Sequence, residues 1–182
     1  SVGKKEKKMG LRASDTSELI FQNAKVPKTA VLGIIGAGFK IALSQLDSGR
    51  VGIAAQAVGI AQAALEEAVS YAKQRKQFGK PLAEFQLTQA KLADMATNIA
   101  AARLLVYQAA SKLAKGEKCT LEASMAKSLA SRIANKACYD AVQIHGGNGF
   151  VREFPVERYF RDARITEIYE GTTEVQSLIV AR

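Results

Sequence analysis

Three long stretches with helical periodicity constrain the fold of this 182-residue chain more than any other feature. Apolar residues recur at helical spacing from Phe39 to about Gln74, from about Glu84 to Lys115, and from about Thr120 to Ile144. Pro81 and Gly116 interrupt the pattern, and the connections are short. Short connections place successive helices antiparallel and side by side. The sequence therefore predicts a mainly α-helical protein built as an antiparallel up-down bundle.

Polar residues at helix starts refine this picture. Thr120 is the predicted N-cap of the third helix. A short fourth helix is predicted to begin at Pro155, because proline favours the first turn. The last helix is predicted to begin near Thr173, with Thr172 as its cap.

Residues 1–30 differ from the rest, because two apolar runs, 18–22 and 24–27, alternate there with turn formers. These runs predict two or three short strands. A sheet that small does not stand alone, so it packs on the helices or lacks partner strands.

Composition limits the kind of partner. The net charge is +9, from 26 basic and 17 acidic residues, which favours an anionic partner such as nucleic acid or a phosphate-rich coenzyme. Nucleic-acid binding is disfavoured, because no zinc-finger spacing, base-stacking motif or helix-turn-helix pattern is present. No apolar run reaches the length of a membrane span. Cys119 and Cys138 are interpreted as free thiols in a reducing compartment.

The residues required by several common types of catalytic or metal site are absent from the sequence. The chain has one histidine, His145, and neither a GxSxG motif nor a papain-like cysteine context. No cluster of His, Cys or carboxylate residues has the spacing of a metal site. We interpret His145 as a helix-end residue that faces a neighbour or solvent.

Four clusters carry the remaining chemistry, and each also has a plain structural interpretation. Asp47 and Arg50 share one helix face, as an ordinary ion pair also would. The turn 75–80 combines an arginine suited to phosphate with a phenylalanine suited to stacking on a flat ring, but it could be a solvated basic turn. In 143–150, three glycines in four residues favour close approach of a ligand to the backbone. The structural alternative is a helix C-cap, which needs only a single glycine. In 168–172 a lone carboxylate, Glu170, is either a base or a solvated turn residue.

Taken in order, these clusters match the motifs of a known family. They are Leu46-Asp47-Ser48-Gly49-Arg50-Val51-Gly52-Ile53-Ala54, Arg75-x-x-Phe78-Gly79, Gln143-Ile144-His145-Gly146-Gly147-Asn148-Gly149 and Ile168-Tyr169-Glu170-Gly171-Thr172. The chain resembles the C-terminal portion of the acyl-CoA dehydrogenases, and its short-chain, butyryl-type branch in particular. The resemblance implies a FAD-dependent oxidoreductase that oxidises a short-chain acyl-CoA thioester between its α and β carbons. It also implies that residues 1–32 end a middle β-domain and residues 33–182 form the C-terminal helical bundle domain.

The resemblance assigns roles to individual residues. Glu170 would be the catalytic base, and no metal is expected. Some relatives carry the base one residue before the arginine that matches Arg50, where this sequence has Gly49. The residues expected to bind FAD are Arg75, Phe78, Gln86, Gln143, Gly146, Gly147, Thr172 and Glu174. The residues expected to contact the acyl-CoA substrate are Asp47, Arg50, Tyr169 and Gly171.

The resemblance further implies an electron-transfer flavoprotein as electron acceptor and a homo-oligomer arranged as a dimer of dimers. The protein would be cytoplasmic if bacterial and in the mitochondrial matrix if eukaryotic. The chain is expected to be a C-terminal fragment that holds part of the active site. The alternative is a helical dimerisation or interaction module without activity of its own. An oxidase-like relative, which would release hydrogen peroxide, is a third possibility.

Overall fold

A computed structural model describes residues 1–182 and shows a helical protein with one small hairpin. The bounds of its five α-helices are α1 Gly38–Gln74, α2 Gln86–Ala114, α3 Thr120–His145, α4 Val156–Ala163 and α5 Thr173–Val180. Between α1 and α2, the two-residue strands β1 Lys76–Gln77 and β2 Lys80–Pro81 pair antiparallel. The predicted bundle is confirmed, because its three long helices lie within two residues of the predicted ends.

Alanine dominates the core between the long helices. Every third or fourth residue of α1 from Ala54 to Ala72 is a buried alanine, and α3 repeats this pattern from Ala123 to Ala141. Larger side chains fill the remaining core on the α2 side, among them Met95. Small side chains favour helix formation and allow two helices to approach closely. α1 and α3 are therefore neighbours along much of their length. None of the helices is long and apolar enough to cross a membrane.

The structure tests the predicted helix ends. α2 ends at Ala114, and Gly116, two residues later, has φ 70° and donates its N–H to Leu113 O at 3.0 Å, as predicted for a helix-ending glycine. The Thr172 hydroxyl caps α5 by accepting from Val175 N at 3.4 Å, as predicted. The Thr120 prediction is wrong by one residue, because Cys119 occupies the N-cap position.

The predicted N-terminal strands are wrong. The segment contains one isolated antiparallel bridge, between Val2 and Leu19, and a 3₁₀ turn at Lys28–Ala30. Large apolar side chains of this segment stay exposed, including Phe21 at 77% and Val26 at 74%. Two strands without further partners bury too little apolar surface to stabilise a sheet. The alternating apolar pattern of residues 18–27 therefore produces no strand in this chain.

Candidate functional site

The stretch that carries Glu170 has an unusual backbone conformation. It lies between a 3₁₀ turn at Arg164–Glu167 and α5. Glu170 has φ 54° and Gly171 has φ 90°, so two consecutive residues are left-handed. Glycine adopts this conformation freely, whereas a side chain at positive φ is held there at a cost of about 1–3 kcal/mol. Surrounding contacts therefore fix the position of Glu170.

Two buried side chains supply those contacts. Lys127 of α3 donates from Nζ to Gly171 O at 2.6 Å. Gln176 of α5 donates from Nε2 to Glu170 O at 3.0 Å and to Gly171 O at 2.9 Å. Both side chains are fully buried, and burial lowers the pKa of Lys127 while the Glu167 carboxylate opposes that shift.

The Glu170 carboxylate points at a glycine of α1. A Cβ added to Gly49 would lie 2.5 Å from Glu170 Oε2, closer than real Cβ contacts allow. That oxygen is buried and has no hydrogen-bond partner. The space is free only because residue 49 is glycine. This oxygen is therefore not that of a solvated turn residue.

Asp47 and Arg50 form the expected ion pair on α1, with Arg50 Nη1 3.0 Å from Asp47 Oδ1. The pair is not an ordinary surface contact, because Arg50 is only 6% exposed. Thr120 of α3 donates its hydroxyl to Asp47 Oδ2 at 2.6 Å. Thr120 is the first helical residue of α3, and its hydroxyl ties that helix to α1 instead of capping it. The acidic and basic groups are thus fixed within one helical turn of Gly49.

Tyr169 lines a groove beside the same stretch. Its hydroxyl donates to Gln56 Oε1 on α1, and burial raises the pKa of this phenol. The groove has a volume of about 480 Å³ and is lined in part by Met9, Leu11 and Ile168. Tyr169 therefore joins the apolar groove to the α1 face.

A second region lies at the hairpin end of the bundle. Phe78 and Gly79 form the two central positions of the β1–β2 turn, with φ 50° and 84°, as in a type I′ turn. The Phe78 ring is 93% exposed although its backbone is held in a conformation rare for aromatic residues. Arg75 precedes the hairpin and has no carboxylate partner.

The glycine-rich loop completes this region. Arg75, Gly146 and Gly147 line one concavity of about 340 Å³. Gly146 has φ 60°, and a Cβ at either glycine would meet nothing within 4 Å, so the space above this backbone is open. The structure therefore places Arg75 of the turn motif beside Gly146 and Gly147 of the glycine-rich motif.

His145 supports that concavity from inside, as a helix-end residue that faces neighbours. It is 3% exposed, and its ring stacks on Tyr71 with centroids 4.1 Å apart. Nδ1 lies 2.8 Å from Ala141 O, while Nε2 is buried without a partner. Burial lowers the pKa of His145, and the Ala141 carbonyl opposes the shift.

Not all predicted residues meet at these two regions. Gln143 lines a separate groove of about 470 Å³ with Phe150 and Phe160. Gln86 is exposed at the first position of α2. Glu174 is exposed in the first turn of α5, where its own backbone N–H and the Thr172 hydroxyl lower its pKa.

Sequence reasoning missed Lys127 and Gln176. For Lys127, the sequence signal that could have revealed its burial is its position in the helical repeat. Lys127 occupies an inward position of α3, in register with buried Ala123, Ala130 and Ala134. A lysine within an alanine stripe is unusual, because an amine is rarely buried without a partner.

Known proteins are similar to this chain in sequence and fold. The family model described as "Acyl-CoA dehydrogenase, C-terminal domain" matches residues 36–182. An acyl-CoA dehydrogenase of Bacillus subtilis (strain 168) is 59% identical over all of this chain, which covers 48% of that relative. The solved structure of butyryl-CoA dehydrogenase from Megasphaera elsdenii superposes with a TM-score of 0.98 at 55% identity over 100% of this chain and 47% of that one.

A chain in the structure of the electron transferring flavoprotein of Acidaminococcus fermentans superposes with a TM-score of 0.99 at 51% identity, and this chain covers 48% of it. The chain thus spans about half the length of the relatives it matches. The match extends over the whole chain and includes relatives that are short-chain or butyryl-CoA dehydrogenases. By sequence, fold and motif order, the chain belongs to the acyl-CoA dehydrogenase family and carries that family's C-terminal domain.

Proposed function

We propose that this chain is the C-terminal half of a FAD-dependent acyl-CoA dehydrogenase that acts on a short-chain acyl-CoA. In this proposal residues 33–182 form the C-terminal helical domain and residues 1–32 end a middle β-domain. The observation that carries the proposal is the Oε2 oxygen of Glu170, which is buried opposite Gly49 without a hydrogen-bond partner. A base that must remove a weakly acidic proton needs a free oxygen and a fixed position.

In the proposed reaction, Glu170 takes the α-proton of the thioester, and the two electrons of that bond form the Cα=Cβ double bond. Bound FAD supplies the acceptor for the hydride that leaves the β carbon. The backbone N–H of Glu170 has no acceptor within the chain, which supports a role in binding the thioester carbonyl. A donor at that oxygen stabilises the charge that develops as the proton leaves.

The remaining substrate contacts follow from position. Asp47 and Arg50 lie within one helical turn of Gly49 and would meet the coenzyme A portion, because a guanidinium binds phosphate well. Tyr169 and Gly171 flank Glu170 in sequence and would line the acyl pocket. The burial of Arg50 favours a fixed contact over a mobile surface charge.

The hairpin end fits FAD. The cofactor combines flat rings with a pyrophosphate, and this end of the bundle offers two surfaces for such a molecule, an unpaired Arg75 and, next to it, glycines whose upper face is open. The exposed Phe78 ring offers a stacking surface. Gln86 and Gln143 would add polar contacts, and Thr172 and Glu174 would reach the cofactor near Glu170. Arg75, Phe78 and Gln86 would serve one subunit's cofactor and Gln143, Gly146 and Gly147 the partner's, in a dimer of dimers.

The relatives guide the proposed partners. One structural neighbour comes from an electron transferring flavoprotein structure, which supports such a flavoprotein as electron acceptor. Relatives include bacterial and mitochondrial proteins, so the compartment would be the cytoplasm in a bacterium and the matrix in a eukaryote.

The central test is Glu170→Gln in the full-length protein. We expect FAD to remain bound, while turnover falls by roughly 10²–10⁴-fold or more because the base is lost. Exchange of the substrate α-proton with solvent deuterium, followed by NMR, should stop. Glu117→Gln is the matched control, because Glu117 is an exposed carboxylate of the α2–α3 loop. Turnover of the Glu170 variant near the normal rate would show that the base assignment is wrong.

A spectrum tests the alternative of an interaction module. The full-length protein should show a flavin absorbance band that bleaches when butyryl-CoA is added. A colourless oligomer that acyl-CoA does not perturb would instead support a module without activity. Release of hydrogen peroxide during turnover would indicate an oxidase.

A further inference from the structure

The largest fully buried side chain of the protein is a lysine. Lys127 lies among the buried alanines of α3, where a leucine or methionine would fill the same volume. Burying an amine in an apolar core is costly unless it makes a strong hydrogen bond. The hydrogen-bond acceptor of its Nζ is Gly171 O, at 2.6 Å. The lysine is therefore tied to one backbone carbonyl beside Glu170.

The same carbonyl receives a second donor. Gln176 Nε2 bonds to Gly171 O and to Glu170 O, at 2.9 and 3.0 Å. Three bonds from two helices thus hold two consecutive carbonyls of a segment whose residues have positive φ. A peptide held from both sides cannot rotate to a relaxed conformation without breaking these bonds.

The charges around Lys127 favour its place there. The carboxylates of Glu167, Glu170 and Glu174 act on it from the neighbouring turn and α5, and the guanidinium of Arg50 acts from α1. The balance is three acidic groups to one basic group. Burial still lowers the pKa of Lys127, so these carboxylates offset only part of the cost of burying its ammonium group, and the short bond to Gly171 O is the contact that holds it there.

We propose that Lys127 and Gln176 are positioning residues that hold the Glu170–Gly171 peptide so that the Glu170 carboxylate faces Gly49. This inference rests on the proposed role of Glu170 and extends it to residues that touch neither substrate nor cofactor. A shift of about 1 Å in a reacting group can lower a rate by 10²-fold. Loss of either side chain therefore lowers the rate of proton removal more than it weakens substrate binding.

The test is Lys127→Met in the full-length protein, with Lys118→Met as control. Lys118 is an exposed lysine of the α2–α3 loop, so its replacement removes the same charge without touching Gly171. For Lys127→Met we expect kcat per bound flavin to fall about 10–100-fold with KM within about twofold. The deuterium isotope effect from α-labelled substrate should rise, because proton removal becomes slower relative to other steps.

Gln176→Leu provides an independent variant if Lys127→Met does not accumulate as a folded flavoprotein. It removes both amide bonds and keeps the lysine, and it should lower kcat in the same manner. In the double variant the losses should not add, since both residues hold one peptide. Variants with reduced flavin content but normal kcat per flavin and an unchanged isotope effect would overturn the proposal.

The Glu170→Gln result separates this inference from the proposed function. If Glu170→Gln is inactive while both positioning variants turn over normally per flavin, only the positioning role is wrong. If Glu170→Gln itself remains active, the assignment of the base fails first.

Discussion

The two candidate regions of this protein are built in opposite ways. Around Glu170, helices α1, α3 and α5 enclose the segment, and buried Lys127 and Gln176 bind its carbonyls. At the hairpin end, the Phe78 ring is 93% exposed and the space above Gly146 and Gly147 is open. Both regions contain a non-glycine residue with positive φ, but contacts cover only the first.

This difference in construction suits the first region to catalysis and the second to ligand binding. A base must be held within a fraction of an ångström of its target, so its supports lie inside one chain. A surface for a large, flat, charged molecule needs open glycines, a free cation and an accessible ring, and the molecule itself supplies the complementary surface. Changes inside the first region should therefore alter rate, and changes in the second should alter affinity.

Among changes that leave the Glu170 carboxylate in place, the largest effect is expected at Gly49. Replacement of Gly49 by alanine places a Cβ 2.5 Å from Glu170 Oε2, and this must displace the carboxylate. We expect kcat/KM of the full-length protein to fall about 100-fold or more, because a displaced base no longer reaches its target. Steady-state kinetics and α-proton exchange measure the effect.

Gly52→Ala is the matched control on the same helix. A Cβ at Gly52 meets nothing within 4 Å, and alanine stabilises a helix interior by about 0.5–1 kcal/mol relative to glycine. Its activity should be unchanged and its melting temperature slightly higher. Equal activity of the two variants would contradict the close contact between Gly49 and Glu170.

A smaller effect, of a different kind, is expected at Phe78. Phe78→Ala should weaken FAD binding by about 10-fold, in keeping with the roughly 0.5–1.5 kcal/mol of an aromatic stacking contact. Flavin release on dilution, followed by fluorescence, measures it. Stability should hardly change, because the ring is almost fully exposed.

Two further variants at Phe78 separate the ring from the backbone. Phe78→Tyr keeps a stacking ring and should bind FAD normally. Phe78→Gly relieves the positive φ of 50° and should raise the melting temperature while it weakens FAD binding. Normal FAD affinity in the glycine variant would contradict a stacking role.

The same contrast explains what the sequence could and could not predict. The long helices were predictable because alanine and larger apolar residues repeat over many turns of one element. Gly116 and Thr172 were predictable because a cap depends on its own few residues. The order of the motifs predicts Glu170 as the base. The burial of its Oε2 oxygen could not be predicted, because it depends on α1 placing Gly49 against that oxygen.

The errors have tertiary causes. Residues 18–27 have strand-like patterns, but the pairing that makes a sheet depends on neighbours outside the local run. A lysine in a helix is normally predicted to be exposed to solvent. Lys127 is buried because its face of α3 packs against α1 and α5. The β1–β2 turn lacks the usual Asn-Gly signal, since Phe78 occupies a position that asparagine or aspartate normally prefers.

The smallest predicted effect is the pH dependence of the free energy of unfolding that arises from His145, the residue before Gly146 and Gly147. Burial lowers the pKa of His145 below its ordinary 6.5, so the folded state binds fewer protons than the unfolded state as the pH falls past that value. Stability contributed by the neutral ring is complete above the unfolded pKa and is lost as pH falls through the folded pKa. Urea unfolding at about pH 7.5 and about pH 5 should show a smaller loss for His145→Gln than for the unmodified protein. An equal loss in both would mean that the buried ring stacked on Tyr71 does not couple protonation to folding.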